Sequence, residues 1–293
     1  MTPASFDYLS PASLEEALGL LKEHGDDAKI LAGGQSLIPL MKLRFTSFPY
    51  VIDVSRIKEL KYIRKEGRKL TIGALTTTAE LEESGEVRDE FQIIHDACSN
   101  IADPLVRNMG TVGGNLSHGD PGNDLPAVMI ALKARFNLQS ASGKRSVSAG
   151  DYYKDTFTTD ASPEEMLVSV EIEIPDGRFG AAYVKHKRRA GDFSVAGVAV
   201  AFSLDGSGRL GSAGVGLTSL GPTPLRSAGA EKALEGSKPD GEGVKKAVEA
   251  ARADSNPSSD FYGSREYKLF VLGKIMEKCV AEAAGRAQKE GSA

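Results

Sequence analysis

Leu14, Ala17, Leu18 and Leu21 recur at three- and four-residue intervals, which places them on one face of a helix. The run Ser10-Pro11-Ala12-Ser13-Leu14-Glu15-Glu16 marks its start, with proline near the first turn and the Ser13-to-Glu16 spacing of a capping box, and His24-Gly25 ends it. Lys29-Ile30-Leu31-Ala32 then reads as a short buried strand that opens into Gly33-Gly34, and Ser36 is placed to cap a helical segment over residues 37–43. A second strand over residues 51–54 gives this first stretch β-α-β character.

From about Lys58 the texture changes. Leu70-Thr71-Ile72-Gly73 is a short strand, Thr77 with Glu80 opens a small helix, and a longer helix is expected over residues 89–101. Beyond a second glycine-rich segment, Asn123 or Asp124 caps a helix that carries Pro126 in its first turn and turns Ala127, Ile130, Ala131 and Ala134 inward. Residues 136–138 and 144–147 suggest a hairpin across Ser142-Gly143. In residues 167–174, Val168, Val170, Ile172 and Ile174 alternate with Ser169, Glu171 and Glu173, the signature of a half-buried strand stopped by Pro175. A further unit follows Pro175-Asp176-Gly177, with strands near residues 181–187, 193–204 and 210–219, a turn at Asp205-Gly206-Ser207-Gly208, and helices near 228–234, 243–253 and 265–289.

The expected layout is therefore α+β, with one unit over residues 1–176 made of subdomains at about 1–57 and 58–176. A second unit over 177–293 would pack a three-stranded antiparallel sheet against a helical bundle. A chain of 293 residues exceeds what one core holds comfortably, in keeping with that division. No apolar run approaches the roughly 20 residues needed to span a bilayer, and the first residues lack a basic stretch followed by an apolar one, so the expected location is the cytoplasm. A formal net charge of -4 gives no reason to expect a nucleic-acid partner.

Chemistry concentrates in two glycine segments, Ala32-Gly33-Gly34-Gln35-Ser36 and Gly110-Thr111-Val112-Gly113-Gly114-Asn115. Glycine permits positive φ and close approach to the chain, so such segments can surround an anion with N–H groups. Neither segment is a G-x-G-x-x-G fingerprint, and no Walker A loop is present. The second is followed at once by Asn115, His118, Asp120, Asn123 and Asp124, too polar a stretch to be filler between packed helices. His118, Asp120 and Asp124 fit no common zinc or calcium spacing, and His24, His95 and His186 read as structural or solvent-facing. Cys98 and Cys279, far apart and in helical patterns, support neither a disulfide framework nor a zinc site. Two cysteines also fall short of the usual four for an iron–sulfur cluster. No nucleophile elbow is found, so the chemistry must come from a bound cofactor.

The stretch from Ile30 to Arg44 (ILAGGQSLIPLMKLR), the stretch from Gly110 to Pro126 (GTVGGNLSHGDPGNDLP) and Lys185-His186-Lys187-Arg188-Arg189-Ala190-Gly191-Asp192-Phe193 together resemble the FAD-binding medium subunits of molybdenum hydroxylases. That family includes the medium chain of aerobic carbon monoxide dehydrogenase and the FAD-binding unit of xanthine dehydrogenase. The resemblance runs over essentially the whole chain. It implies a two-subdomain FAD-binding unit of the PCMH/VAO-like kind, with FAD in the cleft between its subdomains, and an oxidoreductase activity in electron transfer. It also implies a large molybdenum-bearing partner subunit and a small iron–sulfur partner subunit, in which the molybdopterin cofactor and the [2Fe-2S] clusters reside.

By the same resemblance, Ala32, Gly33, Gly34, Gln35, Ser36 and Leu37, with Thr111, Val112, Gly113, Gly114 and Asn115, would hold the FAD pyrophosphate, and Ile30 and Leu31 would also bind the cofactor. Asp124 would accept from a hydroxyl of the flavin sugar alcohol, a role that stands beside that of a plain helix cap. Lys185 would lie near the flavin ring, where its charge favours the electron-rich reduced form. Ile101, Leu167 or Ile172, and Phe193 would line the ring. Two departures stand out. Relatives often carry Gln-Ile-Arg-Asn-Arg before the second glycine segment where this chain has Pro104-Leu105-Val106-Arg107-Asn108-Met109, and Phe193 stands where some relatives have tyrosine. A free-standing FAD-dependent oxidase and a non-catalytic scaffold are the alternatives.

Overall fold

The computed structural model describes residues 2–290, so the last three positions of the expected 177–293 unit lie outside the described residues. The first helix, Leu14–His24, buries Ala17, Leu18 and Leu21 as its spacing predicts. Ser13 accepts from the Glu16 N–H, while the Glu16 carboxylate reaches back to the Ala12 N–H at 2.7 Å, one residue before the position of a closed capping box. The strands Ala28–Leu31 and Tyr50–Asp53 pair in parallel, and a third, Asp7–Leu9, joins the outer edge of Tyr50–Asp53. That three-residue strand is too short to leave a periodic signal.

A five-stranded antiparallel sheet follows. Its central strand, Met166–Glu173, is flanked by Lys69–Gly73 and Arg135–Ser140, with Ile63–Glu66 and Gly143–Ser148 outermost. Ser169, expected on a wet face, is buried and accepts from the Asn137 side chain at 3.0 Å, because the strand is covered on both faces and kinked by a bulge between Leu167 and Ser169. Thr77 and Glu80 form a complete capping box. The long helix expected over 89–101 is two, Gly85–Glu90 and Gln92–Cys98, broken at Phe91, whose φ of -143° is not helical and whose ring is buried.

The C-terminal sheet has four strands, not three: Arg178–His186, Ala196–Leu204 and Leu210–Thr218 make the expected meander, and the two-residue strand Leu225–Arg226 adds an edge. Strand periodicity divides its first strand between two cores. Ala182 and Val184 face the helices Glu242–Asp254 and Arg265–Glu290, whereas Ala181 and Tyr183 join the core that holds Leu70, Phe136 and Ile172. The helix Asp124–Ala131 lies directly on that second face. A Cβ at Gly214 or Gly216 would fall on the carbonyl of Ala131 or Ala127, so these glycines set how closely strand and helix approach. Its N-terminal residue, Asp124, is thereby delivered to the face of this sheet.

Candidate cofactor site

The two glycine segments touch each other. A Cβ at Gly33 would fall on the carbonyl oxygen of Met109, and Gly34 sits at φ +73°, where a side chain is strained. Gly33 therefore lets the first turn lie flat on the backbone leading into the second. Among the described residues, nothing accepts from the N–H groups of Gly33, Gly34, Gln35, Ser36 and Leu37. Ser36 stands at the cap position of the helix Leu37–Lys42 but makes no side-chain cap bond, contrary to the sequence expectation, because its φ of -108° and ψ of -48° are not the extended cap conformation. Its hydroxyl is open, as are the five amides around it.

The second segment is not a loop. Thr111 caps the short helix Val112–Ser117 and accepts from the Gly114 N–H at 3.1 Å. The Val112 N–H donates to Thr76 at 2.9 Å, the Gly113 N–H to Ala74 at 2.8 Å and the Asn115 N–H to Thr111 at 2.9 Å. The sequence reading, in which converging amides of both segments face an anion, is corrected here for Val112 to Asn115, whose N–H groups are engaged within the protein. A Cβ at Gly113 would lie 2.7 Å from that of Ala74, so this glycine is required by packing against residues 74–76. One polar atom remains unanswered: Asn115 Oδ1 is buried and has no hydrogen-bond partner among the described residues.

Eight residues beyond Asn115, Asn123 takes the cap position of the next helix, again without a side-chain cap bond, and Asp124 is its first residue. The Asp124 carboxylate turns away from the helix amides, which removes the plain-cap role. Its Oδ2 accepts from Lys185 Nζ at 2.8 Å, and its Oδ1 accepts from the Tyr183 hydroxyl at 2.5 Å and from Ser194 Oγ at 3.4 Å. The ion pair is dry, with side chains 2% and 5% exposed. Burial pushes the Asp124 carboxyl upward from its usual value while Lys185, Tyr183 and Ser194 pull against it. Burial and the neighbouring carboxylate hold the Tyr183 hydroxyl firmly protonated, hence a donor.

Lys185 also donates to the Asn100 carbonyl at 3.1 Å, and Lys187 to the Asn100 side chain at 2.7 Å. This fixes the turn that carries Ile101, itself half-buried against the core. Phe193 is 50% exposed, and a Cβ at Gly122 would come within 3.2 Å of its ring, so the ring overhangs the segment that leads to Asp124. Ile30 and Leu31 run into the first turn, half-buried. Leu167 is buried next to Val168, whose carbonyl accepts from Ala74, the residue that also receives the Gly113 amide. Ile172 lies five residues beyond Leu167, or about 16 Å, farther along the strand. It is paired with Leu70 in the core at 1% exposure, and the structure does not bring it to the other site residues.

His118 approaches Asp120 at 4.0 Å and packs on Phe157, and burial lowers its pKa. Among the described residues, no group of three or more His, Cys, Asp or Glu side chains is placed to hold a metal ion. Cys98 and Cys279 are buried thiols whose pKa burial raises. No described helix is long and apolar enough to cross a membrane.

Sequence reasoning missed Tyr183, Ser194 and Asn100. Tyr183 could have been found, since it lies two residues before Lys185 and so shares its face of the strand. Asn100 leaves no pattern.

Residues 4–176 match the model of the FAD binding domain in molybdopterin dehydrogenase, and residues 181–283 match that of the CO dehydrogenase flavoprotein C-terminal domain. The chain is 41% identical over 288 residues to the carbon monoxide dehydrogenase medium chain of Afipia carboxidovorans, covering 98% of this chain and 100% of the relative. It is 38% identical to the glyceraldehyde dehydrogenase medium chain of Sulfolobus acidocaldarius, covering 97% and 100%. Among solved structures, carbon monoxide dehydrogenase from Hydrogenophaga pseudoflava lacking the Mo-pyranopterin moiety of its cofactor contains a chain that superposes with a TM-score of 0.95 at 40% identity, covering 98% and 99%.

Proposed function

Because this chain belongs to the family of FAD-binding chains of molybdopterin dehydrogenases, we propose that it is the flavin subunit of a molybdenum hydroxylase complex. A large partner bearing molybdenum oxidises the substrate, a small partner carries the electrons through [2Fe-2S] clusters, and this subunit passes them to an external acceptor. The chain is thus an oxidoreductase subunit that works in a hetero-oligomer, in the cytoplasm, with a first unit of the PCMH/VAO-like two-subdomain kind. With two cysteines, both buried, it has no ligand set for the clusters, which therefore belong to the partner.

The observation that carries the reading is the run of five open amides from Gly33 to Leu37 together with the unpartnered, buried Asn115 Oδ1. Diphosphate fits the first as an anion needing many donors, and a ribose or ribityl hydroxyl fits the second as a donor needing an acceptor. In this assignment Ala32 to Leu37 hold the pyrophosphate, with the Ser36 hydroxyl as an added donor, and Ile30 and Leu31 contact the cofactor next to them. Thr111 to Asn115 form the rigid wall behind it, and Asn115 and Asp124 accept from sugar hydroxyls. Ile101, Leu167 and Phe193 exclude water from the rings, and Lys185 contributes positive charge where negative charge accumulates on reduction. When bound, FAD supplies the exchange between one- and two-electron steps. Ile172 is left out, being enclosed in the core.

The test is titration of the purified chain with FAD, followed through the flavin absorbance and thermal shift, with riboflavin for comparison. FAD should bind far more tightly than riboflavin, which lacks the diphosphate. Asp124→Ala should weaken FAD binding about ten- to a hundredfold, as expected for about 1.5–3 kcal/mol lost with an ionised acceptor. Equal indifference to FAD and riboflavin would sink the reading. Unchanged affinity in a less stable Asp124→Ala protein would reduce Asp124 to a structural partner of Lys185.

A further inference from the structure

We propose that Tyr183 is a positioning residue that sets the flavin's reduction potential through Asp124 and Lys185, with Gly197 holding its hydroxyl in place. The inference rests on the flavin reading above and adds to it residues outside the glycine and lysine motifs.

Lys185 has three N–H donors. Two are taken, by Asp124 Oδ2 at 2.8 Å and the Asn100 carbonyl at 3.1 Å. The positive field left for the third depends on how completely Asp124 neutralises the ammonium. Tyr183 bears on that balance from the far side of the carboxylate, where its hydroxyl lies 2.5 Å from Oδ1, with Ser194 Oγ a longer second donor at 3.4 Å. An O–H dipole pointing its hydrogen at a carboxylate adds positive potential to the site, and in a dry pocket that addition is weakly screened. The effect reaches Lys185 and anything bound against it.

The placement of the hydroxyl is built in. Gly197 faces Lys185 across the sheet, and a Cβ there would lie 2.6 Å from the Tyr183 oxygen and 3.0 Å from the Thr218 Cβ. Any larger residue would push the phenol off the carboxylate. Gly197 has no turn to make and does not sit at positive φ, so the space it leaves for this hydroxyl accounts for its presence inside a strand. Phe193 adjoins Ser194 in sequence and overhangs Gly122, which brings the ring-covering side chain and one of the three donors to Asp124 into one short segment.

The experiment compares the FAD-loaded wild type with Tyr183→Phe, which removes one oxygen and keeps the ring. Redox titration at pH 8 should give a lower midpoint potential for the variant. The expected shift is about three- to tenfold in the equilibrium between oxidised and reduced flavin, tenfold being about 30 mV for a two-electron couple. Gly197→Ala, which keeps the hydroxyl but displaces it, should shift the potential in the same direction. Wild type that takes up no FAD overturns this inference together with the flavin reading. Flavin retained by both proteins at an unchanged or raised potential overturns this inference alone, whatever happens to the melting temperature.

Discussion

Gly33-Gly34 and Gly113-Gly114 are alike in sequence, each a glycine pair beside hydroxyl and amide side chains, yet the first sits in a turn with open amides and the second in a capped helix with engaged ones. Both need glycine for close approach to protein, Gly33 to the Met109 carbonyl and Gly113 to Ala74, so small size alone does not distinguish a ligand cradle from a packing device. The separating feature is where the N–H groups go. The second segment bonds inward to residues 74–76 and to its own cap, which makes it the rigid floor on which the first turn rests. An anion site is assembled here from one segment that binds and another that braces.

Gly33→Ala attacks the contact between them and should have the largest effect. Its Cβ would occupy the place of the Met109 carbonyl oxygen, so the turn must lift away from the brace. Overpacking of this kind costs about 1–3 kcal/mol of stability. The displaced amides should also lose FAD by at least about tenfold. Urea unfolding together with FAD titration reads both, and a variant with wild-type affinity would show that the turn binds independently of its floor.

How far the sequence discloses this arrangement depends on the range of each interaction. The helix Leu14–His24, the capping box at Thr77 and Glu80, the hairpin Arg135–Ser140 with Gly143–Ser148, and the C-terminal meander are written in local periodicity and turn chemistry, and they were legible. The break at Phe91 was not, because a helical run interrupted by one buried aromatic residue keeps its apolar period on both sides. At the site, the motifs named Asp124 and Lys185 but not their bond, which joins residues 61 positions apart. Tyr183 had a usable signal in the strand's two-residue period, while the engagement of the Val112 to Asn115 amides depends on residues 74–76 and has no local signature.

Thr111→Ala sharpens the comparison from the bracing side. It removes the hydroxyl that accepts from Gly114, and loss of such a cap costs about 0.5–2 kcal/mol. Because the amides it organises point into the protein, FAD affinity should stay within about twofold once the variant is folded. A tenfold loss of affinity without a change in unfolding midpoint would reverse the assignment of roles.

Ser36→Ala is the converse and the smallest effect. The Ser36 hydroxyl makes no cap bond in the helix Leu37–Lys42, so its removal should leave the unfolding curve in place. As an open donor beside open amides it should still contribute to holding a diphosphate, and the loss of one such bond, about 0.5–1.5 kcal/mol, corresponds to about two- to tenfold in FAD affinity. The binding defect should vanish when riboflavin replaces FAD as the titrant, since no phosphate is then present. Lowered stability with full FAD affinity would mean that the turn braces after all, and the division of labour between the two glycine pairs would fail at its more exposed end.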